Sequence, residues 1–444
     1  MKKILSIFSF AALLFAAASC KDVVPDIRLV DIEVQLALDG EPMAVENVPV
    51  TLVDASGTVY DTLTNASGVA LFSVPADNYT ASASFKQSGD AEAYTYSGSN
   101  SSIAVLNATT NQFSVALNKV VSQQIIIKEI YSGGCTTDAG KHYTNDAYIV
   151  LYNNSDVEAD ATNIVIGMLA PYNSNATNKY YGTDGVQSYA QESWLPAIGA
   201  IWSFSSDVTI APYSQIVVAV FGAIDHTETV GTSVALNNPD YYVMTANEQF
   251  KNAKYVVDDA IPATHYMTTV PFTQGNAWAL SNNSPAVFLM KASKADIEAM
   301  SLDTEAFDHT MGTSAAFNVV KVAKSSIVDA VEVWNGAKTP EESKYRFSSD
   351  VNSGYVMMTN KLGYTIYRNV DKAATEALAE NEGKLVYNYA LGTEPGSAAN
   401  LANGTTDPSG IDAEASIAAG AHIIYSETNN TATDFHQRAQ SSLK

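Results

Sequence analysis

A glycine-containing stretch, 134–141, has residue types that suit phosphate binding, in which backbone amides wrap the phosphates and a lysine neutralises their charge. A Walker loop places four residues between its glycines and follows the lysine with serine or threonine. Here five residues separate Gly134 from Gly140, and His142 follows Lys141. The stretch therefore does not predict nucleotide binding.

Metal-ligating residue types are scattered along the chain. Neither H-E-x-x-H nor G-x-S-x-G occurs, so the zinc-protease and serine-hydrolase signatures are both missing. The best local group is Cys135 and His142, with Asp138 and Asp146 nearby, and its types are those that bind zinc. We treat Cys135 and His142 as candidate metal ligands, with a buried thiol in a polar loop as the alternative. We predict no catalytic residue, no enzymatic activity and no cofactor.

Aromatic side chains crowd two long segments that are also rich in Asn and Thr. Flat rings beside amide and hydroxyl groups suit sugar faces and other amphipathic ligands, although tyrosine is also common in ordinary strand packing. The residues that we predict to bind a ligand are Tyr180, Tyr181, Trp194, Tyr241 and Tyr242. The other three tryptophans lie in or beside predicted strands, and we predict them as core residues: Trp202, Trp278 and Trp334.

The N-terminal segment is predicted to be an export signal. Lys2 and Lys3 precede an apolar run over 4–18, and small residues lead into Cys20. Such a run is too short to cross a bilayer as a mature helix, so 1–19 is predicted to be a signal peptide. The segment resembles the lipobox of bacterial lipoproteins, which implies that Cys20 is lipidated and becomes the first mature residue. The alternative is an ordinary signal peptide with an incidental cysteine.

Lys21, Asp22 and Asp26 follow the lipobox-like cysteine. They resemble the Lys/Asp-rich signal that carries some lipoproteins to the outer face of the outer membrane. This resemblance implies an outer-membrane, lipid-anchored protein on the cell surface, and we treat 20–29 as a lipidated tether.

The formal net charge is −23, and loss of the signal peptide makes it more negative. An acidic surface repels phosphate backbones, so nucleic acid is excluded as a partner. Lipidation of Cys20 leaves Cys135 as the only free thiol, so no intrachain disulfide can form.

Short alternating runs separated by turn formers predict an all-β fold of two β-sandwich domains. The first domain spans 30–120, and its predicted strands are 31–38, 48–54, 58–62, 69–74, 79–85, 103–106 and 113–117. Asn65, Gly68, Phe72 and Tyr79 stand in an order that resembles the transthyretin-like, or carboxypeptidase-regulatory-like, modules. That resemblance implies a spacer or docking role.

The second domain is predicted over 121–425. Its strands at 125–131, 146–154 and 164–169 resemble the start of lamin-tail-type immunoglobulin-like domains. Relative to that pattern the chain carries long insertions at 171–205, 223–276 and 291–325, where we expect function to lie. Short helices are predicted at 293–301 and 373–380, and 426–444 is predicted to be a polar, mobile tail.

The combination of a lipobox and these two modules resembles an uncharacterised family of surface lipoproteins that accompany outer-membrane transporters of the TonB-dependent type. The resemblance implies a binding or accessory component that supports nutrient uptake, with the membrane and a transporter as partners and an unknown ligand. Two alternatives stay open. One is a secreted hydrolase whose carboxylates converge from distant strands, and the other is a structural component of a surface assembly.

Overall fold

The computed structural model describes residues 28–54, 58–88, 92–106, 111–244, 251–271, 277–303, 307–308, 318–393 and 406–444. The predicted signal peptide and Cys20 lie outside the described residues, so the lipidation of Cys20 stays a prediction. The described residues form two compact units. Unit 1 holds those up to Phe85 together with Tyr96–Lys119, and unit 2 holds Lys86–Thr95 and Val120–Lys444.

The strands over the first part of the chain are β1 (Leu29–Leu38), β2 (Glu41–Pro42), β3 (Pro49–Asp54), β4 (Val59–Leu63), β5 (Val69–Pro75), β6 (Asn78–Ser88), β7 (Glu92–Ala104) and β8 (Gln112–Gln123). They form one sheet in the order β2-β1-β8-β7-β6-β3-β4, and β5 pairs with β1. In β5, burial alternates along the strand, so Phe72 and Val74 point into the core while Leu71 and Ser73 point outward. This period of two is the pattern that predicted the strand.

β7 differs from its predicted range more than the other predicted strands of this sheet do. We predicted a short strand at 103–106, but β7 begins at Glu92. Its first ten residues are mostly polar or small, so they carry no apolar alternation. Backbone pairing with its neighbours holds this part of the strand in the sheet, and such pairing produces no recognisable pattern in the local sequence.

The strands of unit 2 that follow are β9 (Ile125–Tyr131), β10 (Cys135–Thr136), β11 (His142–Tyr143), β12 (Tyr148–Asn153), β13 (Ala159–Asp160), β14 (Ile164–Met168), β15 (Trp194–Ile198), β16 (Ala200–Ser203), β17 (Thr209–Ile210), β18 (Gln215–Ala219), β19 (Tyr242–Met244), β20 (Tyr266–Pro271), β21 (Ala286–Lys291), β22 (Phe307–Asp308), β23 (Val319–Ala323), β24 (Ile327–Asn335), β25 (Val356–Met358), β26 (Thr365–Arg368) and β27 (Phe435–Arg438). The α-helices are α1 (Lys294–Leu302), α2 (Lys372–Glu376), α3 (Ala413–Ala418) and α4 (Thr431–Asp434). The all-β prediction is therefore confirmed.

Twelve of these strands form one sheet in the order β25-β24-β21-β14-β16-β20-β19-β18-β12-β9-β26-β27. Side chains from β24 and from β9, which lie far apart in this order, belong to the same buried apolar cluster. Asp329 on β24 also accepts a hydrogen bond from the Ile127 amide of β9, at 2.6 Å. Trp202, Trp278 and Trp334 are buried, as predicted.

The predicted insertions contribute strands to the large sheet and to a separate three-stranded sheet in the order β15-β23-β22, as well as a helix. The first contributes β15 and β16, the second β19 and β20, and the third α1, β22 and β23. The helix predicted at 293–301 is confirmed as α1, whose first turn is capped by Ser293 accepting from the Asp296 amide at 3.2 Å. Among the described residues no helix is both long enough and apolar enough to span a bilayer.

The segment 426–444 is not a free tail, so that prediction is wrong. β27 pairs with β26 at the end of the large sheet, and all four of its residues are buried. The polar side chains that suggested a tail have buried partners. His436 Nδ1 lies 2.7 Å from Asn369 Oδ1, and the Ser442 amide donates to Glu129 Oε1 at 3.1 Å.

Candidate functional site

A cleft of about 410 Å³ lies on unit 2 between two segments that are far apart in sequence. Its walls come from the first insertion and from a loop before β25. The lining residues are Tyr181, Gly185, Gln187, Ala190, Tyr345, Phe347, Ser348, Ser349, Asn352, Ser353 and Gly354. We call this the aromatic cleft.

A short hairpin builds the first wall. Tyr181 and Gln187 form an antiparallel bridge, and the turn between them closes with the Gly182 amide donating to the Val186 carbonyl at 2.9 Å. Gly185 has φ +76°, a left-handed conformation that glycine adopts without strain. The hairpin thus sets the Tyr181 ring and the Gln187 amide side by side.

The hairpin is attached to the second wall through backbone carbonyls. The Tyr181 hydroxyl donates to the Tyr345 carbonyl at 3.2 Å, and Gln187 Nε2 donates to the same oxygen at 3.3 Å. Tyr189 on the same insertion donates to the Arg346 carbonyl at 2.6 Å. These bonds fix the width of the cleft.

A fully buried ion pair anchors the second wall. Arg346 Nη2 and Nε lie 2.7 and 2.9 Å from Glu332 Oε1, and neither side chain is exposed. Glu332 Oε2 accepts from the backbone amides of Arg346 and Phe347, at 2.9 and 3.2 Å. The loop is therefore held to β24 by both its side chain and its backbone.

Stacked rings support Tyr345 from behind. Trp334 and Tyr355 are parallel, with ring centroids 3.7 Å apart, and the Tyr345 centroid lies 4.8 Å from that of Trp334. This packing limits the motion of the Tyr345 ring. A ligand that stacks on it would meet a pre-organised surface.

None of the residues that line the aromatic cleft is acidic, basic or a histidine. Burial raises the pKa of Tyr181 to about 12, and burial also raises the pKa of Tyr345, so both phenols are neutral at neutral pH. The lining offers ring faces, amides and hydroxyls. Its chemistry suits binding of an uncharged ligand by stacking and hydrogen bonding.

Of the five predicted ligand-binding aromatics, Tyr181 alone lines this cleft. Tyr180 is 1% exposed and packs edge-on against Tyr189, with centroids 5.1 Å apart, so burial removes it from the candidate site. Trp194 is half-buried under Lys321, whose Nζ lies 5.0 Å from its ring centroid.

The other two predicted aromatics lie elsewhere on unit 2. Tyr242 stacks on His265 with centroids 4.4 Å apart and meets Phe204 edge-on, while Tyr241 packs against another apolar cluster. The five residues therefore do not form a single platform. Sequence reasoning missed Tyr345, Phe347 and Asn352, and the only local signal was an aromatic pair flanking Arg346 in a polar stretch.

The candidate metal ligands lie on neighbouring strands of one hairpin, where Cys135 pairs with Tyr143 and Thr136 with His142. The Cys135 thiol is buried and lies 3.5 Å from Asp146 Oδ2, and burial raises its pKa. His142 Nε2 instead lies 2.8 Å from the Gly133 carbonyl. Within the described ranges, no three His, Cys, Asp or Glu side chains are grouped so that they could hold a metal ion.

A different histidine approaches this region from the second insertion. The Tyr143 hydroxyl lies 2.7 Å from His226 Nδ1, and His226 Nε2 lies 3.2 Å from the Gly222 carbonyl. The network assigns the ring proton to Nε2, which donates to the carbonyl while Nδ1 accepts from the phenol. Burial lowers the pKa of His226, which favours this neutral form. The cluster ties the insertion to β11.

The fold and site thus define an all-β protein with a neutral aromatic cleft on its larger unit. Residues 211–388 match the model of a family described as "Protein of unknown function (DUF4876)". No curated protein matches the chain. The resemblances of the strand orders to transthyretin-like and lamin-tail-like modules stay predictions.

Two solved structures resemble the chain to very different degrees. The crystal structure of a DUF4876 family protein from Bacteroides thetaiotaomicron has a TM-score of 0.57 and 15% sequence identity, and the match covers 92% of this chain and 94% of that one. The major pilin subunit BcpA of Bacillus cereus has a TM-score of 0.16 and 11% identity, over 75% of this chain and 99% of that one. The first likeness shows a shared fold, and the second carries no argument.

Proposed function

We propose that this chain is a surface lipoprotein that binds an uncharged, amphipathic ligand, with neutral saccharides as the favoured class, in the aromatic cleft. The observation that carries the proposal is the cleft itself. Its lining combines the ring of Tyr345, which packs against Trp334, with amides and hydroxyls, and it includes no charged residue. Sugars present apolar faces for stacking and a rim of hydroxyls for hydrogen bonds. The ring, amide and hydroxyl groups of the cleft can contact both.

Replacing Tyr345 by alanine tests the proposal. Loss of the stacking ring is expected to weaken binding of a neutral oligosaccharide about tenfold or more, because a well-placed aromatic contact contributes on the order of 1–2 kcal/mol. Isothermal titration calorimetry of the mature protein against a panel of neutral oligosaccharides measures this.

Tyr387→Ala is the matched control, since Tyr387 is 54% exposed on the same unit and does not line the cleft. Its affinity is expected to equal that of the unchanged protein. Equal weakening by both substitutions, or none by Tyr345→Ala, would count against the cleft as the binding site.

The lipid anchor is a separate part of the proposal. We propose that Cys20 carries the acyl chains that hold the protein on the outer membrane, because two or more chains anchor stably where one does not. Cys20→Ala is expected to move the protein from the membrane fraction to the soluble fraction with unchanged circular dichroism. Retention of the variant in the membrane would contradict the lipobox prediction.

The proposed partner is an outer-membrane transporter of the TonB-dependent type, supported by the resemblance of the sequence to lipoproteins that accompany such transporters. A tether to the same membrane raises the local concentration of the protein near a transporter, so modest affinity suffices. Purification of the lipidated protein from its own membrane in mild detergent tests this. We expect a stoichiometric β-barrel transporter, whereas recovery of the protein alone would contradict the partnership.

A further inference from the structure

The outward face of unit 1 exposes neighbouring leucines. Leu71 on β5 is 59% exposed and Leu63 on β4 is 56% exposed. The antiparallel bridge between Thr64 and Ala70 places Leu63 opposite Leu71, on the same side of the sheet. Single exposed leucines are ordinary on protein surfaces, but a facing pair forms a continuous apolar patch.

Acidic side chains border this patch. Glu33 on β1 is directly opposite Leu71, and Asp31 is opposite Ser73 on the same pair of strands. Asp61 lies on β4 two residues from Leu63, with the same outward exposure. In the part of the chain that the structure describes, none of these three carboxylates pairs with a lysine or arginine.

A cleft opens beside the patch. It has a volume of about 470 Å³, and Asp31, Glu33 and Leu71 are among the residues that line it. The sequence over 28–85 contains eight acidic residues, with Arg28 as the single basic one. An apolar surface, a groove and an uncompensated acidic border therefore coincide on one face.

We propose that this face, which we call the acidic–leucine face, docks an extended segment of a partner protein that presents apolar and basic side chains from the same side of its backbone. Residues two apart on an extended segment point the same way, so apolar and basic residues placed two apart can cover Leu63 and Leu71 and also meet Glu33 and Asp61. A second copy of this chain does not suit the acidic–leucine face, because the same face on two copies would bring carboxylates together. The inference is independent of the aromatic cleft on unit 2.

A pair of synthetic octapeptides tests the proposal, both with serine at every second position. At the positions between, one peptide alternates leucine with lysine and the other alternates leucine with glutamate, so that both residue types share one side. Fluorescence anisotropy with the mature protein is expected to show binding of the lysine peptide, weakened by salt, and none of the glutamate peptide. Leu71→Ser is expected to lower the affinity about tenfold, since it removes buried apolar area in the complex. Leu63→Ser provides a second variant with the same expected effect.

Two matched controls separate docking at this face from general attraction to an acidic protein. Leu362→Ser changes a leucine that is 50% exposed on unit 2, and the affinity should not change. Glu33→Lys should weaken binding far more than Glu41→Lys, which makes the same charge change at an exposed residue of β2. Equal effects of the two lysine substitutions, or unchanged binding after Leu71→Ser and Leu63→Ser, would overturn the proposal. A dimer in light scattering that Leu71→Ser dissociates would assign the face to a second copy and would also overturn it.

Discussion

Replacing Glu332 by glutamine is expected to lower the free energy of unfolding of unit 2 by about 3–5 kcal/mol. Glu332 and Arg346 are both fully buried, and the carboxylate accepts four hydrogen bonds from Arg346 and Phe347. The amide of glutamine keeps the shape but leaves the guanidinium charge without a buried counter-charge, and that is where most of the cost arises. The same variant is expected to lose ligand binding, because these bonds hold one wall of the aromatic cleft.

Tryptophan fluorescence during chemical denaturation measures this effect on unit 2 alone, because all four tryptophans lie there. Glu342→Gln is the control. Glu342 pairs with Lys338 at 3.0 Å, but both side chains are about half exposed, so no measurable change is expected. A loss below about 1 kcal/mol for Glu332→Gln would show that the buried pair does not anchor the loop.

The second large effect concerns pH. Arg368 is fully buried and meets three carboxylates, with Asp329 Oδ2 and Glu427 Oε2 each at 2.5 Å and Asp434 Oδ2 at 3.9 Å. Burial is the main cause that raises the pKa of Glu427 to about 7, and the neighbouring charge of Asp329 adds to it. One guanidinium cannot compensate three buried carboxylates, so the folded state retains a proton on Glu427 that the unfolded chain releases at lower pH.

The direction in which stability changes with pH follows from this difference in proton binding. Between about pH 4.5 and 7 the folded state binds the proton and the unfolded state does not, so stability from this group is present at low pH and is lost as pH rises towards 7. Glu427→Gln removes this dependence. The free energy of unfolding of the variant, relative to that of the unchanged protein, is expected to rise by about 2–3 kcal/mol as the pH goes from 5 to 8.

Denaturation of both proteins at pH 5 and pH 8 checks the expectation. Burial lowers the pKa of His436 to about 3, which gives an opposite slope at acidic pH, but this term is the same in both proteins and cancels in the comparison. Glu228→Gln, at an exposed acid on the second insertion, should track the unchanged protein. Parallel pH profiles for Glu427→Gln and the unchanged protein would contradict the raised pKa.

Apolar periodicity and runs predicted much of the fold. β9 and β12 are continuous runs buried on both faces, and β5 alternates in and out, so each was visible in the sequence. β7 and β27 were not visible, because β7 is held by backbone pairing with its neighbours and the polar side chains of β27 gain partners only when distant segments fold together. Gln437 Nε2, for example, donates to Thr393 Oγ1 at 2.9 Å, a contact that no local pattern encodes.

Only part of the candidate site, likewise, could be predicted from the sequence. Tyr181 was predicted as a ligand-binding residue from the aromatic content of the first insertion, and it lines the cleft. Tyr345 and Phe347 complete that cavity from about 160 positions further along the chain, in a loop positioned by the buried Glu332–Arg346 pair. Composition identified a region rich in rings, but only the tertiary structure shows which rings share a surface and which, like Tyr180, are core.

Hydrogen–deuterium exchange of the mature protein, with and without a saturating neutral oligosaccharide, tests the binding claim most directly. We expect slower exchange in the two walls of the aromatic cleft, 181–190 and 345–354, with no comparable change in 240–244 around Tyr241 and Tyr242. Protection confined to other segments, or a full panel of neutral oligosaccharides that leaves both walls unchanged, would contradict it.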